Sequence, residues 1–174
     1  MRDSWALLKK PGFPAIRRRS LDTLQMNLSY LCNIACTHCH VNAGPNRTEL
    51  MDRDTMDKAL AVIDRFGIGT LDVTGGSPEM NPEFRWLVAE ARAGGGHGID
   101  RLHPTIMEAP GYDWVAPFLA EHRVEAIASL PCYSKENVDA QRGSGVFEAS
   151  ISALQTLNQH GYGKPGSGVV LNLV

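Results

Sequence analysis

The sequence predicts an α/β fold on a sheet of parallel strands, open or curled into a barrel. Two observations carry that prediction. Segments whose apolar residues alternate with a period of two are interleaved with segments of helical rhythm, five strands and four helices along the 174 residues. The two stretches richest in chemistry, CNIACTHCH (32–40) and GGSPEM (75–80), each follow directly on a predicted strand. In a parallel sheet both would stand on the edge made by the strand carboxyl ends, where such folds gather their function. A chain of this length, 43% hydrophobic and 21% charged, can bury the single core the architecture needs.

Residues 1–22 form an N-terminal extension whose basic run, Arg17-Arg18-Arg19, reads as a solvated segment or a local anion contact. The first strand is TLQMNLSY (23–30), apolar at Leu24, Met26, Leu28 and Tyr30. A helix over 52–66 follows, with Met56, Leu60, Ile63 and Phe66 on one face and Gly67 to end it. Glu49, Asp52 and Asp54 near its start suit the positive end of the helix dipole. TLDVTGG (70–76) is the second strand, and EFRWLVAEARAGGG (83–96) is a helix stopped by glycines. RLHPTIM (101–107) reads as a weaker third strand, because Pro104 removes a ladder donor. Residues 113–122 form a helix that Pro117 delays or distorts. VEAIASL (124–130) is the fourth strand, and 146–160 is a helix with Phe147, Ile151, Leu154 and Leu157 in 3-4 rhythm. SGVVLNLV (167–174) is the fifth strand. The chain stops inside it, so the expectation is a fragment truncated in or after the fifth strand.

Net charge is −2, which gives no electrostatic case for nucleic acid or an anionic membrane surface. No stretch reaches the roughly 18 consecutive apolar residues of a membrane span. The N-terminus has neither the apolar core nor the cleavage site of a signal peptide. The expected setting is the cytoplasm, where clustered cysteines are metal ligands more often than disulfides.

Three of the four cysteines are Cys32, Cys36 and Cys39, with His38 and His40 beside them. From Cys36 the string C-x-x-C-H matches haem attachment, but that chemistry accompanies export, and a parallel α/β frame is an unusual host. A structural zinc site needs four ligands, usually as two separated pairs; here the second pair is missing. Three thiolates on one short loop suit an iron–sulfur cubane better, each sulfur reaching a different iron. One iron then lacks a protein ligand and is open to a substrate or cofactor. A fourth thiolate from Cys132, making a plain electron carrier, is the alternative.

Cys32-Asn-Ile-Ala-Cys36-Thr-His38-Cys39 resembles the C-x3-C-x-aromatic-C signature of radical S-adenosylmethionine (SAM) enzymes. Gly75-Gly76-Ser77-Pro78 resembles their Gly-Gly-Glu-Pro segment, with Ser77 in place of the acid. LQMNLSYLCNIACTHCHVNAGPNRTE, DVTGGSPEMNPEF, VEAIASLPCYSKENVDAQRGSGVFEASISAL and GVVLNLV together are similar to the arsenosugar-biosynthesis radical SAM proteins. The similarity runs over residues 20–174, weakens over 94–112, and stops short of that family's Cys-rich C-terminal region.

The resemblance implies a partial (β/α) TIM-like barrel, with 23–174 as an incomplete radical SAM core. It implies that Cys32, Cys36 and Cys39 hold a [4Fe–4S] cluster whose open iron is chelated by the amino and carboxylate groups of SAM. The turn of Gly75, Gly76, Ser77 and Pro78 would receive the amino group, and His38 would lie near the adenine. One electron would break the sulfonium C–S bond and yield a 5′-deoxyadenosyl species, transferred in the arsenosugar group to a methylated trivalent arsenical. The implied partners are that small-molecule substrate and an electron donor such as flavodoxin or ferredoxin. The alternatives are a non-catalytic iron–sulfur carrier or metal-binding fragment, and a radical SAM enzyme acting on a peptide or other metabolite.

Cys132, in SLPCY just past the fourth strand, is a candidate catalytic thiol. Trivalent arsenic is soft and thiophilic, like the metals that thiolates select; the other reading is a small core thiol. Ser129 and Asn172 are candidate cofactor contacts, with Glu79 and Asn42 similarly placed. Arg142, in Gln141-Arg142-Gly143, reads as a contact for an anionic group or as a solvated loop arginine.

Overall fold

The computed structural model describes Arg17 and residues 19–174; residues 1–16 of the N-terminal extension, and Arg18 of its basic run, lie outside the described residues. Five strands form one sheet in the order β1-β2-β3-β4-β5, every neighbouring pair parallel. They are β1 Thr23–Asn27, β2 Thr70–Thr74, β3 His97–Asp100, β4 Glu125–Ala128 and β5 Leu171–Leu173. The α-helices between them are α1 Arg53–Phe66, α2 Phe84–Ala93, α3 Val115–Glu121, α4 Lys135–Arg142 and α5 Val146–Gln159. The expected α/β frame of five parallel strands is therefore present.

The register aligns Gln25, Asp72, Ile99 and Glu125 in one row, and Met26, Val73, Asp100 and Ala126 in the next. Successive side chains on a strand point to opposite faces, so these rows face opposite sides of the sheet. Met26, Val73 and Ala126 face the helices and join Leu28, Met56, Leu71, Phe84, Leu87, Leu119 and Leu157 in the core. Asp100 is the charged exception in that row. The Gln25 row forms the other, inner face, and it is largely polar.

Local chemistry explains the helix ends. Asp52 caps α1 by accepting from the Thr55 N–H at 2.8 Å, and Gly67 closes it in the left-handed conformation a glycine adopts without strain. Pro117 is the third residue of α3. Its missing N–H falls in the first turn, where no intrahelical acceptor waits, so it permits the helix and only sets its start. At the far end of the chain, the buried Tyr162 hydroxyl donates to Val124 O at 2.6 Å, tying the exit of α5 to the entry of β4.

Two elements differ from the sequence reading. The third strand lies at His97–Asp100, directly after the glycines that end α2, and not over 101–107. Pro104 opens a short 3-10 helix, Pro104–Glu108, where its fixed φ and missing N–H are both tolerated. The stretch read as a glycine-rich loop contains α4, which puts Arg142 in its last turn. Among the described residues no helix is long and apolar enough to cross a membrane.

Candidate functional site

The loop carrying the three cysteines is laced to the turn after β2 by backbone hydrogen bonds. Leu28 N donates to Thr74 O at 2.9 Å, Gly76 N to Ser29 O at 2.8 Å, and Ser77 N to Leu31 O at 2.9 Å. This approach requires the two glycines. A Cβ at Gly75 would stand 2.5 Å from both Asn27 Oδ1 and Ser29 O, on a backbone at φ +132°, and one at Gly76 would overlap Leu31 O. The N–H groups of Gly76 and Ser77 are consumed by these bonds. What the turn can offer a ligand is carbonyl oxygen, which suits a cationic or N–H donor.

A cleft of about 590 Å³ opens at this edge of the sheet, lined by Cys32, Cys36, His38 and Cys39 with Gly75 and Gly76. All three cysteines are free thiols. Cys32 is buried, its Sγ 3.4 Å from Ser77 Oγ, and that hydroxyl also stands 3.0 Å from Asn33 Oδ1. The Ala43 N–H donates to Cys39 Sγ at 3.2 Å. Burial pushes the Cys36 thiol up, against the lowering pull of the Arg142 charge. Among the described residues no three His, Cys, Asp or Glu side chains gather around one metal-ion position, as a single zinc would require. Three thiols set around an open cleft do fit a cluster that takes three protein ligands and leaves one iron exposed to the cavity.

The opposite wall comes from the ends of β3, β4 and α4. Thr37, next to Cys36, donates to Gln141 O through its N–H at 3.0 Å and its hydroxyl at 3.2 Å. Arg142 then reaches back to β4, donating from Nη1 to Ser129 O at 2.8 Å and from Nη2 to Ser129 Oγ at 2.7 Å. His103 also lines the cleft. Burial, and after it the Arg142 charge, pushes its imidazole down to about 3, so the ring is neutral. Its Nδ1 lies 2.7 Å from Thr105 Oγ1, which in turn accepts from Asn33 Nδ2 at 3.0 Å. The cysteine loop and the third-strand end are thus joined by side chains as well as by the cleft.

Of the residues singled out in the sequence, Cys32, Cys36, Cys39, His38, Gly75, Gly76 and Ser129 meet at this cleft. Ser77 and Pro78 are buried in the turn behind it. Cys132 and Asn172 are not among the lining residues. Cys132 stands before the first turn of α4, at the end away from the cleft, and accepts from Asn137 Nδ2 at 3.3 Å. Hydrogen bonds from Ser134 first, then Asn137, bring its thiol down to about 7. Asn172 is exposed on β5 and donates to Glu125 Oε1 at 2.7 Å. Glu79 lies behind the sheet, 3% exposed, and Asn42 is exposed in a left-handed turn. Sequence reasoning does not single out His103, because the alternation over 101–107 predicts a strand; Pro104 after it is the available signal of a turn.

Comparison with known proteins agrees with this arrangement. The model of the Radical SAM superfamily matches residues 26–174. Mycofactocin maturase MftC of Mycobacterium tuberculosis is 30% identical over 160 residues, which cover 90% of this chain and 39% of that protein. GTP 3′,8-cyclase of Chlorobaculum tepidum is 30% identical over 75 residues, covering 43% of this chain and 23% of the cyclase. The chain thus spans about two fifths of the length of the maturase. Among solved structures, Streptococcus suis SuiB bound to S-adenosylmethionine superposes with a TM-score of 0.65 at 13% identity, over 82% of this chain and 32% of SuiB. Methylornithine synthase (PylB) gives 0.60 at 18% identity, over 83% of this chain and 43% of its own. Those likenesses are of fold, and they bear out the partial TIM-like barrel. The cofactors that go with this family are a [4Fe–4S] cluster and SAM. On the match across residues 26–174, this chain belongs to the radical SAM superfamily.

Proposed function

We propose that this chain is the cofactor-binding core of a radical SAM enzyme, with Cys32, Cys36 and Cys39 as the cluster ligands. The observation that carries the reading is the meeting of three free thiols and a carbonyl-presenting Gly-Gly turn on one cleft. When bound, the cluster supplies the electron that breaks the C–S bond of SAM to give a 5′-deoxyadenosyl species. The protein's own part is positional. Carbonyls of the Gly75-to-Pro78 turn take the cofactor's ammonium, and His38 stands by the adenine. Ser129 accepts from Arg142 through its oxygen, which leaves its proton to donate to the bound nucleoside. The electron comes from an external one-electron donor of the flavodoxin or ferredoxin kind.

The proposed acceptor is a methylated trivalent arsenical, captured by Cys132 outside the cleft before it reaches the cofactor. Its support is the sequence likeness through SLPCY and QRG, together with a thiol that is substantially thiolate near neutral pH. A second reading, a peptide substrate, is favoured by the solved complex of SuiB with its precursor peptide. Anaerobic reconstitution with iron and sulfide, followed by EPR of the reduced protein with and without SAM, tests the core proposal. About four irons and four sulfides per chain and a spectrum altered by SAM are expected; stoichiometric zinc without a cluster would sink it. Incubation with dimethylarsinous acid or with a peptide, read by mass spectrometry for a deoxyadenosyl–arsenic product or a mass change in the peptide, separates the two substrates.

A further inference from the structure

We propose that Arg142 sets the reduction potential of the cluster, as a positioning residue that fixes a buried positive charge against the Cys36 and Cys32 side of the site. The inference rests on the cluster assignment above and adds a role for a residue outside the ligand set.

Arg142 is 7% exposed, and an arginine keeps its proton in a protein. A buried cation needs a counter-charge. Its hydrogen-bond acceptors, Ser129 O and Ser129 Oγ, are neutral, and among the described residues its Nε has no partner. Among the described residues, no carboxylate forms an ion pair with it. The groups that would act on it once ionised are Cys36 first and then Cys32, and the bonds from Thr37 to Gln141 O hold the Cys36 loop beside it. The guanidinium therefore lacks a counter-ion until an anionic group occupies the thiol loop, and a cluster held by three thiolates is such a group.

The attachment is stiff as well as close. Both Nη groups grip one residue at the end of β4, and the neighbouring Gln141 carbonyl receives two bonds from Thr37. The charge cannot swing into the cleft without breaking these. His103, the other buried basic side chain on this wall, is neutral and adds no second charge.

Reduction moves one electron from an external donor onto the cluster, with no bond made or broken, and adds negative charge to an already anionic group. A fixed cation nearby favours the reduced form, and local charge is one of the levers on cluster potentials. Removing it makes reduction harder. The expected loss is about tenfold in the reduction equilibrium, or ~59 mV for one electron.

The test is an EPR-monitored redox titration, with dithionite as reductant, of the reconstituted wild type and of Arg142→Lys, Arg142→Gln and Arg142→Met. The lysine variant should keep the wild-type midpoint within a few-fold, and either neutral variant should fall about tenfold. An unchanged midpoint in a neutral variant that holds its iron overturns the proposal. So does a result in which the lysine variant falls as far as the neutral ones, or in which both neutral variants refuse iron while lysine accepts it, since either makes the role one of scaffolding. A wild type that takes up no cluster would instead remove the functional reading itself, and iron analysis tells the two failures apart.

Discussion

On the inner face of the sheet, Asp72 meets Arg101 Nε at 2.8 Å and Gln25 Nε2 at 2.9 Å, and Glu125 is held by His97 Nε2 at 2.8 Å and Asn172 Nδ2 at 2.7 Å. On the helix side of the same sheet, Asp100 and Glu79 are 0% and 3% exposed, and among the described residues none of their four carboxylate oxygens has a hydrogen-bond partner. The inner face can carry charge because each acid there has a partner of opposite sign or an N–H donor. The closed face cannot, and its two acids respond by holding protons. Burial pushes Glu79 up to about 7, and burial aided by the neighbouring Glu79 raises Asp100 well above the usual carboxylate range. The first face carries compensated charge beside the cleft, and the second holds its uncompensated acids protonated behind the sheet.

The largest effect belongs to the open edge. Cys36→Ala should abolish cluster assembly, with iron and sulfide content falling to background after anaerobic reconstitution. Cys132→Ala should retain both, because Cys132 lies at the far end of α4. Loss of the cluster in the Cys132 variant would restore the electron-carrier alternative, in which that thiol is a fourth ligand.

The closed face gives the next effect. The folded chain keeps a proton on Glu79 up to about pH 7, whereas the ordinary value is 4.5. Between those values the folded state binds more protons than the unfolded one, so stability falls as pH rises through the window. Asp100, raised further from its ordinary 3.8, adds to the fall for as long as the folded chain keeps its proton. Glu79 alone should cost on the order of 2–3 kcal/mol from pH 5 to pH 8, with Asp100 adding to it, measured by urea denaturation. The double variant Glu79→Gln/Asp100→Asn should flatten that slope, and a slope unchanged in the variant would show that other groups set it.

Gly76→Ala tests the seam between the faces. A Cβ there overlaps the Leu31 carbonyl, a backbone atom that cannot rotate aside. The expected cost is about 2 kcal/mol, in the range of overpacking, read as a lowered thermal midpoint even in the cluster-free protein. An unshifted midpoint would mean that the loop relaxes freely, and the lacing would then not be what holds the thiols.

These contrasts also mark what the sequence discloses. The cysteine spacing and the Gly-Gly turn are local signals, and both landed on the cleft as read. The strand alternation was equally legible, because parallel strands show their apolar positions plainly. What failed was short or polar. The four-residue β3 hides behind the glycines that end α2, and Pro104 lent a false alternation to Leu102 and Ile106, both of which are buried without being strand. The helix α4, KENVDAQR, has Val138 as its one buried apolar residue and so shows no stripe. The burial of Glu79 beside Asp100, and the lack of a carboxylate for Arg142 among the described residues, exist only once distant elements pack, and no pattern in the chain announces them.

Asn172 offers the finest discrimination, since it was a candidate cofactor contact on the strength of its position alone. In the structure it spends its amide on Glu125, a carboxylate that also keeps His97, so Asn172→Ala leaves no orphaned acid behind. The bond is exposed, and its net worth should be about 0.5 kcal/mol, at the low end for a hydrogen bond. SAM affinity, followed through the cluster's EPR response, should stay within two-fold of wild type. A ten-fold weakening with unchanged stability would reverse the assignment. It would mean that Asn172 leaves Glu125 when the cofactor binds, and that the inner face supplies a ligand contact as well as its own neutralisation.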